Sequence, residues 1–385
     1  PENDEAFVNG DYNLAVAINE KMDLLLTHRL DILRNIGLVV IDEIQMIAEP
    51  GRGAILERML TKILASGYRP SLLALSAVLA ERNIQPLADW LGATLVEETS
   101  RPRDLIRGVA AEGKLCYRSY NLGEEGTEPF DGFDPRDDDA LASFVQRIRT
   151  EDVSTLIFLK SRADAVRVAL QIAASVNWPP AKQAITKLAD EERSSLLCSL
   201  TRVLNRGVAF HSSDLSIGQR QAVEQAFIDG EVRALCSTTT LALGVNLPAD
   251  TVYLETVKYA GGTFGPRPEL VPISRAEFDN MTGRAGRFGF GQNRPGRAIV
   301  MAASSFDQEV LWDNYLRSVP PRPIASALTS LPLEDWLLHL IVCGLVRNRD
   351  EVSTLMNRTL AGKLGREFSS DTLQEAVDCL LEHHL

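Results

Sequence analysis

The chain has few cysteines, no long apolar run and no excess of basic residues, and each shortage removes a class of protein. Cys116, Cys198, Cys236, Cys343 and Cys379 are the five cysteines, and no two have CxxC spacing. Neither a zinc cluster nor a disulfide framework is indicated, and a reducing, cytoplasmic setting fits. No apolar run reaches the ~18 residues of a membrane span and no signal peptide is expected, so no membrane partner is expected either. The formal net charge is −12 over 385 residues. That balance argues against indiscriminate nucleic-acid binding, whose affinity comes from phosphate neutralisation by Lys and Arg, but it is compatible with a local basic channel. Internal repeats and low-complexity tracts are missing. So is any GxxxxGK[ST] stretch. "EGKLC" at 112–116 and "AGKLG" at 361–365 carry Gly-Lys, but neither has the preceding Gly at the required spacing or the following Ser/Thr. The chain opens on "PENDEAF" without Met, which leaves a longer parent open.

What is present is a repeated theme of short apolar run, polar turn and amphipathic helix. With 45% hydrophobic and 24% charged residues, the composition is that of a globular protein with room for two or three domains. "IGLVVIDE" precedes "RGAILERMLTKILASG", where Ile55, Leu56, Met59, Leu60, Ile63 and Leu64 recur at helical spacing. "SLLALSAVL", "VSTLIFLKS", "GVAFHSS", "VRALCSTTT", "DTVYLETV" and "GRAIVMAA" are further apolar runs. Runs apolar on both faces that alternate with helices predict parallel sheets covered by helices, in two α/β domains. Residues 124–139, acidic and rich in turn formers, read as a solvated loop. After about residue 305 the pattern becomes helical, which predicts a small third domain.

Three stretches carry candidate chemistry. In parallel α/β sheets ligands sit beyond the carboxyl ends of the strands, where "VVIDE" places Asp42 and Glu43. A carboxylate pair there suits a nucleotide hydrolase, one acid holding Mg²⁺ and the other orienting or deprotonating the attacking water. Taken alone, "VVIDE" reads as well as an acidic helix start. In "NMTGRAGRFG", Arg284 and Arg287 lie three apart on an expected helix, hence on one face, and planar, permanently charged guanidinium groups suit a triphosphate. The alternative is a flexible basic loop. In "CSTTTLALGVNLPA", threonines close an apolar run, and hydroxyls and free N–H groups at a strand end suit a phosphodiester backbone. Ordinary strand composition is the plainer reading.

"VVIDEIQ", "LALSAVL", "TLIFLKSRADA", "GVAFHSSDLSIGQRQAVEQAF", "STTTLALGVNLPA" and "NMTGRAGR" occur in that order. Together they resemble the motifs of superfamily-two DExH-type helicases of the Ski-two-like branch, which includes archaeal repair helicases and RNA-exosome helicases. The resemblance implies an α/β fold of two RecA-like parallel-sheet domains, the first incomplete, followed by a helical winged-helix-like domain. The expected boundaries are 1–100, 101–304 and 305–385. It implies ATP and Mg²⁺ as cofactors, nucleic acid as partner, with DNA favoured over RNA, 3′→5′ movement and a monomer.

By the same resemblance, Asp42 would bind Mg²⁺, Glu43 would activate water and Gln45 would sit at the nucleotide. Ser76 and Ala77 would couple hydrolysis to domain movement. Asn19 and Lys21, in "AINEKMDLLL", and Thr239 and Thr240 would touch the nucleic acid. Gly244 and Asn246 would link that contact to the nucleotide. Arg287 would be the arginine finger, with Arg284 as a second phosphate ligand. Tyr259 and Phe264 would lie in a strand-separating β-hairpin. Four positions depart from the branch: Gln45 and Ser212 where His is usual, Val78 for Thr and Asn280 for Gln. The missing phosphate loop should precede the acids by many more residues than the 41 that precede Asp42, which implies a truncated first motor domain. The competing reading is a catalytically silent nucleic-acid-binding or scaffold protein.

Overall fold

The structure, a computed structural model, describes residues 2–49, 51–76, 82–98, 100–130, 140–150, 153–238, 247–260, 269–287, 294–317, 322–366 and 368–382. They fall into two units, Pro1–Glu97 with Val319–Leu385, and Glu98–Ser318.

In the first unit, "IGLVVIDE" forms the strand β1 (Leu38–Ile41), paired in parallel with β2 (Ser71–Ala74) in a sheet of two strands. A short strand, β3 (Arg82–Asn83), pairs with Arg322–Pro323. Ile41 packs into a core with Leu26, Leu33, Ile47, Leu56 and Leu60. On the other face Leu38, Val40 and Leu73 are 55%, 51% and 46% exposed. Helix cover on both faces is thus corrected here: among the described residues, no element buries that face of β1 and β2. The preceding Leu14, Val16 and Ile18 are exposed as well.

The helix Arg52–Ala65 buries Leu56, Met59, Leu60 and Ile63 as the helical spacing predicts, whereas Leu64 is exposed. Its polar side is buried too, because the C-terminal helices pack against it. Helices Leu333–Val342, Arg349–Met356 and Ser370–Glu382 enclose Trp336, Leu337, Met356 and Leu373, and Ala54 joins that cluster. Glu57 accepts from Ser326 Oγ at 2.6 Å and from the backbone of Ala361 at 3.0 Å. Lys62, wholly buried, donates to Asp23 Oδ1 at 2.7 Å and to Thr27 Oγ1 at 2.6 Å. Asp23 also accepts from Arg58 at 2.8 Å, and Arg58 reaches Asp335 at 2.5 Å. Such charges persist inside a protein only when paired and hydrogen-bonded.

The second unit carries an eight-stranded sheet. Its strands are β4 (Leu105–Ala111), β5 (Lys114–Ser119), β6 (Glu125–Pro129), β7 (Thr155–Leu159), β8 (Val208–His211), β9 (Ala234–Thr238), β10 (Thr251–Leu254) and β13 (Gly296–Met301). The order is β6-β5-β4-β13-β10-β7-β9-β8, parallel from β4 to β8, with β5 and β6 antiparallel. β7, β8, β9 and β10 are buried throughout, as runs apolar on both faces require. A separate antiparallel ribbon joins β11 (Val257–Ala260) to β12 (Glu269–Pro272).

Two expectations change in this unit. The acidic stretch 124–139 is not a loop throughout. Glu125–Pro129 forms the edge strand β6, and Phe130 is buried beneath the Arg147 guanidinium, 3.9 Å from its ring centroid; residues 131–139 lie outside the described residues. The helix Ser305–Tyr315, placed by sequence in the third domain, belongs to this unit because Tyr315 and Leu316 are in its core. Among the described residues, no helix is long and apolar enough to cross a membrane.

Candidate functional site

The acids stand where strand geometry puts them. Asp42 follows β1 directly and is exposed, and Glu43 is half-buried. Parallel pairing continues past the strand ends, since Leu75 N–H donates to Ile41 O at 2.8 Å and Ile44 N–H to Leu75 O at 3.0 Å. The loop after β2 is thereby held beside the loop after β1. Glu43 has φ 53° and ψ 45°, left-handed backbone that costs a residue with a Cβ on the order of 1–3 kcal/mol and concentrates at functional positions.

Gln45 ties the two loops together. Its Nε2 donates to Glu43 Oε2 and its Oε1 accepts from Ser76 Oγ at 2.5 Å. An amide does both at once because it carries a donor and an acceptor. The carboxylate of Glu43 is therefore connected through one side chain to Ser76. Ala77, expected beside Ser76, lies outside the described residues. Asn19 and Lys21 occupy the first turn of the helix Asn19–His28, both half-buried. Among the described residues, no cluster of three or more His, Cys, Asp or Glu side chains forms a metal cage.

In the second unit the arginine segment corrects its expectation. The helix Arg275–Thr282 opens on a Ser274–Glu277 capping box and stops at Thr282, with Gly283 as its cap. Arg284 and Arg287 therefore lie on a loop, and the same-face helical argument does not apply to them. Ala285 forms an isolated parallel bridge with Ala249: Ala249 N–H donates to Arg284 O at 3.1 Å and Gly286 N–H to Ala249 O at 2.8 Å. Gly286 has φ +65°, and a Cβ there would fall 2.6 Å from Gly296 Cα. Only glycine meets both conditions. Arg284 is buried and Arg287 half-buried.

This loop lies beside the amino ends of β10 and β13, whereas the other predicted contacts follow carboxyl ends. β9 ends at Thr238, so Thr239, Thr240, Gly244 and Asn246 come after it, outside the described residues. The β11–β12 ribbon follows β10. On it Tyr259 stands opposite Leu270, both about half exposed at 52% and 51%. Lys258 Nζ ties the ribbon to Glu277 at 2.5 Å. Phe264 lies outside the described residues. His211 closes β8 and pairs with Glu224 at 2.8 Å; burial lowers its pKa, with the carboxylate opposing.

Sequence reasoning missed Arg101 and Arg107. Arg101 donates to Gly283 O and Ala285 O, and Arg107 pairs with Asp279 at 2.6 Å. Three arginines within "RPRDLIR" were the available signal.

The DEAD/DEAH box helicase family matches residues 1–87, and the helicase conserved C-terminal domain matches 140–289. A protein named ATP-dependent DNA helicase Hel308 from Caldivirga maquilingensis is 30% identical over 97% of this chain and 49% of its own length. Its namesake from Pyrobaculum calidifontis is 31% identical over 97% and 51%. The Helicase POLQ-like protein of Caenorhabditis elegans is 29% identical over 96% and 40%. The chain thus spans about half the length, or less, of these curated relatives. The paired acids beyond β1, the arginine loop after a capped helix and these matches together place the chain among the superfamily-two DExH-type helicases, in the Ski-two-like branch.

Proposed function

We propose that the chain is part of an ATP-dependent DNA helicase that moves 3′→5′ along one strand, acting as a cytoplasmic monomer. The observation that carries this reading is the Glu43–Gln45–Ser76 connection at the carboxyl edge of β1 and β2. It joins a candidate water-activating carboxylate to the next strand's loop, so a change at the nucleotide has a route into the fold. DNA is preferred because the Hel308 relatives are named DNA helicases.

The residues fit Mg²⁺ and ATP in one respect that the structure supplies. Asp42 is an exposed carboxylate at a strand end, engaged by the Glu43 N–H at 3.0 Å. Mg²⁺ is held by one or two carboxylates plus substrate phosphates rather than by an all-protein cage. When bound, the ion neutralises charge on the transferring phosphoryl group. Asp42 would hold it, Glu43 would orient the attacking water, and Arg284 and Arg287 would take phosphate oxygens. Thr239, Thr240, Asn19 and Lys21 would grip the strand, with Gly244 and Asn246 linking that grip to the nucleotide. Tyr259 and Phe264 would meet the duplex. The three C-terminal helices around Trp336 support a winged-helix-like connector. The division expected from the sequence is a partial first motor at 1–100, a second motor at 101–304 and a connector at 305–385; with the helix Ser305–Tyr315 packed into the second unit, the proposed connector begins near Val319.

The test is an unwinding and ATPase assay on the intact parent, using tailed DNA and RNA duplexes of both polarities. Glu43→Gln should abolish DNA-stimulated hydrolysis. Arg287→Ala should cut turnover about 10³–10⁵-fold, as removal of an arginine finger does, with strand binding retained. The 385-residue chain alone should hydrolyse ATP negligibly, since it lacks GxxxxGK[ST]. Normal turnover by either variant would sink the reading.

A further inference from the structure

A helix that stops leaves its last carbonyls without intrahelical donors, and the loop after Thr282 finds its donors elsewhere. Arg284 O accepts from Ala249 N–H at 3.1 Å. Gly283 O and Ala285 O, on either side, both accept from Arg101 Nη2 at 3.0 Å. Three successive carbonyls of the arginine loop are thus fixed from outside, two of them by one guanidinium.

That guanidinium is itself held. The Asn121 side-chain amide grips the Arg101 backbone from both ends, its Oδ1 accepting from Arg101 N–H at 2.8 Å and its Nδ2 donating to Arg101 O at 2.9 Å. Asn121 is anchored in turn by its own N–H, which donates to Asp104 Oδ1 at 2.9 Å. The Tyr120 ring lies 5.9 Å from the Arg101 guanidinium carbon and 5.3 Å from that of Arg107. An aromatic face attracts such cations. Arg107 pairs with Asp279 on the helix that leads into the loop. Burial, and secondarily the charge of Arg287, depress the Arg101 pKa, while Tyr120 opposes the shift.

We propose that Arg101 is a positioning residue for the arginine loop: by holding the carbonyls of Gly283 and Ala285 it fixes where Arg287 meets the terminal phosphate of a nucleoside triphosphate. The inference rests on the reading of Arg287 given above and deepens it. The bridge with Ala249 engages Arg284 O and Gly286 N–H, Arg101 supplies the hold on the carbonyls of Gly283 and Ala285, and a misplacement of about 1 Å at a reacting centre costs on the order of 10²-fold in rate.

The experiment measures DNA-stimulated ATP turnover of the intact parent for Arg101→Gln, Arg101→Lys, Tyr120→Leu, Arg287→Ala and the Arg101→Gln/Arg287→Ala double variant. Arg101→Gln should lower kcat about 10–100-fold with the KM for ATP within about threefold, because placement rather than ground-state binding is lost. Arg101→Lys should recover part of that loss. In the Arg287→Ala background the same Gln substitution should change kcat less than about twofold, since residues acting as one unit are non-additive. A merely structural role would multiply the two losses, and that result overturns the proposal. Should Arg101→Gln fail to fold, Tyr120→Leu carries the same test, because it removes support for the guanidinium and leaves the guanidinium in place. A slow Arg287→Ala beside a normal Arg101→Gln overturns this inference alone. A normal Arg287→Ala overturns the reading beneath it, and the inference with it.

Discussion

Asp23→Asn gives the most direct test of how the first unit holds together. Asp23 is 2% exposed and lies between two buried cations, Arg58 and Lys62, at 2.8 Å and 2.7 Å. Asparagine preserves the shape and one acceptor oxygen but removes the counter-charge. Arg58 retains Asp335, a half-exposed partner, while Lys62, wholly buried, is left with Thr27, the Asp23 backbone carbonyl and the His339 ring. Breaking a buried ion pair from one side costs about 3–5 kcal/mol. For a unit of this size each kcal/mol moves Tm by about 2–4 °C, so a fall of roughly 6–20 °C is expected. Hydrogen exchange on the 385-residue chain reads the effect where it arises, in the helices Asn19–His28, Arg52–Ala65 and Leu333–Val342. Adding Lys62→Met should then restore part of the loss, about 1–3 kcal/mol, because the stranded ammonium has gone. A cost below about 1 kcal/mol for Asp23→Asn, or simple additivity in the double variant, would refute the claim that these charges are desolvated and coupled.

His339 should make the same unit sensitive to acid. Burial first, then Arg58 and Lys62, lower its pKa, while Asp23 and Asp335 oppose the shift. A histidine whose folded pKa lies below its unfolded value binds protons more readily when unfolded, so stability is full above about pH 6.5 and declines as the pH falls below it. His339→Gln should flatten that decline in unfolding of the first unit, and an unchanged slope would remove His339 from the role. His211 in the second unit carries a depressed pKa of the same sign, so the two units must be followed separately. Gly286→Ala should destabilise the second unit by more than about 2 kcal/mol, from left-handed backbone strain plus the clash with Gly296. Urea unfolding measures it, and a neutral result would show that the loop relaxes without cost.

The parallel sheet of the second unit was legible because its signal is local. "TLIFL", "VAFH" and "TVYL" are mainly apolar, with only Thr155, His211 and Thr251 as buried polar residues, which is the composition of strands buried on both faces. The position of Asp42 and Glu43 was legible for the same reason, since a strand's end is where its apolar run stops. The helix assigned to "NMTGRAGR" was misread because its termination depends on a carbonyl network completed by Arg101 and Ala249, residues distant in sequence. The acidic stretch after residue 124 was misread because edge pairing with β5 outweighs its turn-forming composition.

Sequence by itself determined the apolar parallel strands of the second unit and the paired acids after β1. Tertiary structure alone decided which polar faces are buried. Nothing in "RGAILERMLTKILASG" announces that Glu57, Arg58 and Lys62 are covered, because the helix that meets Arg58 and Lys62 begins at Leu333. It also decided that Arg101 holds the arginine loop. A hydrogen bond between residues 182 and 184 positions apart leaves no periodicity in the chain, since it depends on where the fold brings two segments together and not on what lies next to either.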